Sequence, residues 1–134
     1  MIHWEKQGFF KPEYGRKDGI KNVAPEDVFM MVIPPPNVTG KLHLGHALTN
    51  SVEDAITRWN RMRGKVTLWV PGSDHAGIAT QVIVEKKLAR DQGLSRHDLG
   101  RTKFLDKVYE WKEEYGNAIY DQLRKLGSSV DWDR

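Results

Sequence analysis

Cysteine is absent from the 134 residues, which removes disulfides, thiolate zinc sites and cysteine nucleophiles together. Long apolar runs are absent as well. The longest, 28–33 and 66–70, have the length of strands, and nothing in the sequence is long enough to span a bilayer. Charge of one sign is also lacking: 21 Lys and Arg against 18 Asp and Glu leave a net charge of +3. That mild basic bias is compatible with nucleic acid but does not choose a partner. The N-terminus, Met-Ile-His-Trp-Glu-Lys, has no basic lead followed by an apolar core, so no secretory signal is expected. Together these features predict a cytoplasmic protein with no membrane partner, one domain at most, and a modest core.

Residues 1–27 are polar and broken by Gly8, Pro12, Gly15, Gly19 and Pro25, with Trp4, Phe9 and Phe10 as anchors. This composition predicts an N-terminal docking arm rather than a core. Packing is the expected use of its aromatics, and base stacking the sharper alternative. Residues 28–134 carry the α/β pattern. The run 28–33 is apolar at every position, which suits a strand covered on both faces and hence a parallel sheet. Three prolines stop it. Leu48, Val52, Ala55, Ile56, Trp59 and Met62 then recur at helical spacing, and Gly64 stands where a C-terminal cap belongs. A second strand over 66–70 ends at Pro71-Gly72. Strand, helix and strand form a right-handed βαβ unit. A helix from about residue 78 to 90 ends at Gly93, Ser95 and Asp98 have capping-box spacing, and a last helix runs from Phe104 to Leu126 and stops at Gly127. Residues 128–132 would begin a third strand.

The loop Pro-Pro-Pro-Asn-Val-Thr-Gly-Lys-Leu-His-Leu-Gly-His, 34–46, joins the first strand to the first long helix. In open α/β sheets such loops border the ligand crevice, and the helix behind them offers free N–H groups to an anion. The spacing of His43 and His46 puts two imidazoles about one turn apart. A phosphate chain is the natural guest. A P-loop is excluded, because Pro35 and Leu42 stand where the motif requires Gly and Ser or Thr. A zinc helix is disfavoured too: its ligands sit four apart with Glu beside the first, and here the gap is three with Leu44 in that place. Two histidines that only cap a helix remain the plain alternative. The loop 72–77, Gly-Ser-Asp-His-Ala-Gly, follows the second parallel strand and is expected at the same sheet edge. Its Asp74 reads either as a turn residue or as a carboxylate facing a cationic ligand group.

The tetrad His43-Leu44-Gly45-His46, the blocks 34–40 and 72–77, Lys112-Glu113-Glu114 and the segment 126–134 resemble, in order and spacing, the first half of the catalytic domain of class I aminoacyl-tRNA synthetases. Within that family the third proline and the Asp74 loop resemble the valine-specific branch more than the isoleucine or leucine branch. The resemblance implies the first half of a Rossmann-like nucleotide-binding fold, with parallel strands and helical crossovers. It also implies ATP with Mg²⁺ as the substrate complex, with no protein-bound metal, and valine and tRNA(Val) as the other partners in a complete enzyme. By the same resemblance, Thr39, His43, Gly45 and His46 hold ATP, with His43 and His46 as the catalytic pair, while Pro34, Pro35, Asn37 and Asp74 hold the amino acid. The chemistry is consistent with this. A carboxylate attacks the α-phosphorus and pyrophosphate leaves, so alignment and charge stabilisation suffice without an enzyme nucleophile. Gly45 lets a flat base or ribose approach the backbone, and the proline loop makes a stiff apolar wall.

Relative to that family the sequence reads as incomplete: the second half of the fold, the lysine-containing loop, the editing insertion and the anticodon-binding helices have no counterpart. Two parallel strands and a fragment of a third are therefore expected to leave apolar strands partly uncovered. Alternatives are a noncatalytic nucleotide-binding remnant or interaction module derived from a synthetase, an isoleucine-type synthetase fragment, and a nucleotidyltransferase sharing the His-x-x-His loop.

Overall fold

Alternation of strand and helix is what a chain with two short apolar runs and three helical patterns can form. The computed structural model describes residues 2–74 and 77–134, without the side chain of Ile2. His75 and Ala76 of the loop motif 72–77 lie outside the described residues. The elements are α1 (Ile2–Lys6), a 3-10 turn (Pro25–Asp27), β1 (Val28–Val32), α2 (Leu44–Met62), β2 (Val66–Val70), α3 (Ile78–Gln92) and α4 (Arg96–Leu126). This is a partial Rossmann-like α/β fold. The chain divides into two compact units, Met1–Pro34 with His43–Gly72 and Leu123–Arg134, and Pro35–Leu42 with Ser73–Gln122.

In the first unit β1 and β2 pair in parallel, Val28 opposite Val66 through Val32 opposite Val70, and Ile33 N–H extends the ladder to the Val70 carbonyl. The crossover helix α2 packs on this pair. Cover on both faces of the first strand is not what the described residues show: Met30 is 67% exposed and Val32 64%. The reason is topological, since among the described residues β1 pairs with β2 alone. The uncovered strand expected from so few strands is the outcome. The third strand does not form either. Residues 128–132 run irregularly beside β2, held to it by Asp131 N–H donating to the Trp69 carbonyl at 2.9 Å.

The largest correction concerns α2. Its apolar stripe, expected to face a core, is exposed at Leu48, Val52, Ile56, Trp59 and Met62, while Asn50, Thr57 and Asn60 are buried. A polar stripe on the other side explains this. Asn50 Oδ1 accepts from Ser128 Oγ at 2.6 Å, and Asp54 Oδ1 accepts from Ser129 N–H at 2.8 Å. Arg58 donates to the Gly127 carbonyl at 2.9 Å, and Arg61 to the Ser129 carbonyl at 2.7 Å. Gly127 and Ser128 N–H close back onto the Arg124 and Leu123 carbonyls, but the Ser129 N–H and the Gly127 and Ser129 carbonyls have no ladder partner, and α2 side chains satisfy them. The N-terminal arm docks on the same helix. Phe10 is buried, its carbonyl accepts from Arg61 at 3.2 Å, and Arg124 reaches Glu5 at 3.3 Å. In this arm Trp4 is 45% exposed, so Phe10 is the aromatic anchor.

In the second unit Val84 and Leu88 of α3 form a core with Phe104 and Val108 of α4, flanked by Leu99 and Trp111. The glycine stops fall as the pattern requires: Gly64, Gly93 and Gly127 all adopt positive φ, a conformation that costs a residue with Cβ about 1 kcal/mol or more. Ser95 and Asp98 form the expected box, with Ser95 N–H and Oγ donating to Asp98 Oδ2 at 2.8 and 2.6 Å. These bonds hold the Asp98 carboxyl below its usual value. One break was not foreseen. Gly100 has φ 75° and ψ 166°, so the first turn of α4, which carries the box, is set off from the long helix that begins near residue 101.

Burial of α2's polar side leaves two side-chain atoms covered without a hydrogen-bond partner among the described residues, Asn50 Nδ2 and Glu53 Oε2. For Glu53, desolvation pushes the carboxyl above its usual value. A carboxyl raised in the folded state binds protons that the unfolded chain, at about 4.3, has released. Stability therefore falls as pH rises from that value through the raised one, and stays lower above it. Glu53→Gln is expected to raise the urea midpoint at pH 7, with the advantage shrinking towards pH 4. An equal difference at both pH values would show that the charge of Glu53 is not responsible.

Candidate functional site

The first unit carries Pro34, His43, Gly45 and His46, and the second carries Pro35, Asn37, Thr39 and Asp74. His43 is the N-cap of α2, in extended conformation at φ −118° and ψ 175°. Its Nδ1 accepts from Gly45 N–H at 3.1 Å, and its own N–H donates to His46 Nδ1 at 3.3 Å. The histidines thus play the parts of serine and glutamate in an ordinary capping box, satisfying donors that a helix start leaves open. This reciprocity fixes a tautomer. A neutral ring that accepts at Nδ1 carries its proton on Nε2, so each imidazole keeps one N–H donor for a ligand. The ring centroids lie 4.0 Å apart at 50°. Desolvation, and then the neighbouring His43, hold His46 below its usual value, which favours the neutral form this cap requires.

Gly45 has a reason that the sequence did not reveal. A Cβ there would stand 2.9 Å from His43 Cε1 and 3.1 Å from its Nδ1. Any side chain at this position would push the imidazole off the helix start, since Cβ contacts that short do not occur without a shift. The helix begins at Leu44, within the tetrad rather than after it. The positive end of its dipole and the two imidazoles are therefore contiguous.

In the second unit, Asn37 and Asp74 form an isolated parallel bridge. Val38 N–H donates to the Asp74 carbonyl and Asp74 N–H to the Pro36 carbonyl, both at 2.9 Å. The Asp74 side chain accepts from Gly77 N–H at 3.0 Å through Oδ1, so its turn-forming role is present in the structure. Gly77 must lack a side chain for this, because a Cβ would lie 2.7 Å from Asp74 Oδ2. Thr39 sits in the turn after Asn37, its N–H donating to the Asn37 carbonyl at 2.8 Å.

Two residues that fix this loop were missed as functional. Trp111 Nε1 donates to the Val38 carbonyl at 2.7 Å, and Gln122 Oε1 accepts from Leu42 N–H at 2.8 Å. Both bonds bridge more than 70 positions in sequence, so no local pattern reports them. Trp111 did offer a signal, because a tryptophan in an apolar helix stripe still needs an acceptor for its indole N–H. Among the described residues no group of three or more His, Cys, Asp or Glu is arranged to hold a metal ion. No helix among them is long and apolar enough to cross a membrane.

Comparison with known proteins matches these features to one family. A family model described as tRNA synthetases class I (I, L, M and V) matches residues 1–134. The chain is 70% identical over 131 residues to valine-tRNA ligases of Takifugu rubripes and Homo sapiens, covering 98% of this chain and 11% and 10% of theirs. It is 58% identical over the same length to a mitochondrial valine-tRNA ligase of Macaca mulatta, of which it covers 12%. The chain thus spans about a tenth of the length of the curated relatives it matches. With a capped histidine pair at a helix start, a parallel βαβ unit and a match along its whole length, the chain belongs to the class I tRNA synthetases.

Proposed function

We propose that the protein bearing this chain activates valine with ATP and transfers it to tRNA(Val). The observation that carries the reading is the reciprocal cap of His43 and His46, which leaves two neutral N–H donors at the positive end of α2. The choice of amino acid rests on the relatives, which are valine-tRNA ligases at up to 70% identity. The higher identity to these than to the mitochondrial forms, 57 to 59%, supports a cytoplasmic site of action.

In the first step a valine carboxylate oxygen attacks the α-phosphorus of ATP, the bond to the bridging oxygen breaks, and pyrophosphate leaves. Valyl adenylate remains. Negative charge grows on the phosphate oxygens, and preorganised N–H donors stabilise it without reorganisation at the moment of reaction. His43 and His46 supply those donors through Nε2. Gly45, bare beneath the His43 ring, and Thr39 complete the proposed nucleotide contacts. Mg²⁺ accompanies the polyphosphate as part of the substrate complex. In the second step a terminal tRNA hydroxyl attacks the carbonyl of the adenylate and AMP leaves. For the amino acid, the Asp74 carboxylate is assigned to the α-ammonium, and Asn37 and the backbone of Pro34 and Pro35 are assigned to the same substrate. The bond to Gly77 N–H supports this role, since a carboxylate oriented by the backbone is placed before the substrate arrives.

The decisive assay is ATP/pyrophosphate exchange with valine, isoleucine, leucine and threonine. Exchange should depend on the amino acid and be fastest with valine. Exchange without any amino acid would point to a nucleotidyltransferase, and preference for isoleucine to another branch of the family. In the full-length protein, His43→Ala and His46→Ala should each lower kcat by an amount equivalent to about 2 to 4 kcal/mol, as expected for loss of one preorganised donor. A rise confined to the KM for ATP would mean ground-state binding only. Asp74→Asn should weaken valine far more than ATP in calorimetry. Equal losses for both ligands would reduce Asp74 to its turn.

A further inference from the structure

A cationic groove lies in the first unit, at the end of α2 opposite the histidines. The helix has 19 residues and is therefore about 28 Å long. Where it ends, a groove of about 340 Å³ opens between the N-terminal arm and the start of β2. Its charged lining is Lys11, Arg16, Arg61 and Lys65, with no carboxylate among the lining residues. Lys11 is paired with Asp133. Arg16, Arg61 and Lys65 make no ion pair among the described residues.

Basic residues gather at helix C-termini for an ordinary reason, the partial negative charge of the last carbonyls. Arg16 stands just past that end, donating to the Gly64 carbonyl at 2.8 Å. A helix end, however, amounts to about half an elementary charge, and of the three cations without an ion pair Arg61 alone has carboxylates acting on it, Asp54 and Asp131. Arg61 is the costliest of them. Its hydrogen bonds go to neutral oxygens of Ser129 and Phe10, and burial pulls the guanidinium down to about 10 despite the nearby carboxylates of Asp54 and Asp131. An anion in the groove would relieve this desolvated charge. The groove also has flat apolar surface: Phe9 and Tyr14 line it, their rings meeting edge to face at 4.8 Å, and Tyr14 is 55% exposed. Cations beside an open aromatic ring are the chemistry that holds a phosphate and the base attached to it.

We propose that this groove binds a nucleotide unit, its phosphate on Arg16 and Lys65 and its base against Tyr14, at a site separate from the histidine pair. The ligand is either a free mononucleotide or one unit of a single strand. The proposal does not rest on the valine-activating role, because its residues and its test are distinct from that site.

The test is photocrosslinking of the full-length protein with 5-iodouridine 5′-monophosphate and, separately, with a short oligouridylate carrying 5-iodouridine, followed by mass-spectrometric mapping. An adduct on the peptide containing Tyr14 is expected. Lys65→Glu should lower its yield by roughly tenfold, as reversal of a phosphate-contacting charge does, while circular dichroism and amino-acid-dependent exchange stay as in the parent. Capture of the mononucleotide identifies a free nucleotide as ligand, and capture of the oligonucleotide alone identifies a strand. No adduct at Tyr14 with either probe, or an adduct whose yield Lys65→Glu leaves unchanged, would overturn the proposal.

Discussion

The polar clamp between α2 and residues 127–129 is the interaction on which the first unit depends. A two-stranded sheet with one crossover helix has little apolar surface to bury, and here the helix turns its apolar stripe outward. What holds the terminal segment beside β2 is a row of side chains one helical turn apart, Asn50, Asp54, Arg58 and Arg61, each bonded to a backbone or hydroxyl group of 127–129. Hydrogen bonds to charged groups contribute about 1.5 to 3 kcal/mol each. Losing a partner costs more than the bond alone, because the buried group left behind is unsatisfied. The clamp also closes on itself, since Arg58 Nε donates to Asp54 Oδ2 at 2.7 Å while Asp54 Oδ1 holds Ser129. Val130 and Asp131 are fully buried behind it, and the arm rests on the same helix through Phe10.

A helix fixed along one side presents its two ends as fixed points. At the N-terminus this places the His43 and His46 rings, and the bare Gly45 keeps room for the first of them. At the C-terminus it places Arg61 in a desolvated position beside the arm. One helix therefore carries imidazole N–H groups at its first end and side-chain cations, Arg61 and Lys65, at its last. In the second unit the comparable constraint is the bridge between Asn37 and Asp74, backed by the Trp111 bond to the Val38 carbonyl.

Local rules made much of this legible. Apolar runs gave both strands and their parallel sense, glycines gave the helix stops, and Ser95 with Asp98 gave the box. The spacing of His43 and His46 places them near the helix start, although it does not show that their rings accept from the Gly45 and His43 N–H groups. The failures share one cause. Periodicity locates a stripe but does not say what lies opposite it, so the apolar stripe of α2 was assigned to a core while the polar stripe at Asn50, Asp54, Arg58 and Arg61 went unread. A segment without a ladder, 127–129, makes that polar side the buried one, and only the third dimension brings it there. Gly100 lies between the box at Ser95 and Asp98 and the stripe that begins at Phe104, so periodicity does not reach the break there. Gly45 reads from sequence as room for a ligand, and the structure adds a local reason, the closeness of the His43 imidazole.

The most direct test of the clamp is amide hydrogen exchange at Ser129 in the full-length protein, compared with its Asp54→Ala variant. Ser129 N–H donates to the Asp54 carboxylate, and Asp131 N–H donates to β2. Both amides should therefore be protected to a level near that of the α2 interior, and Asp54→Ala should release Ser129 first and Asp131 with it. Exchange of Ser129 at the rate of an open loop in the parent, or protection of both amides that Asp54→Ala leaves intact, would contradict the account of α2 as a helix held by its polar side.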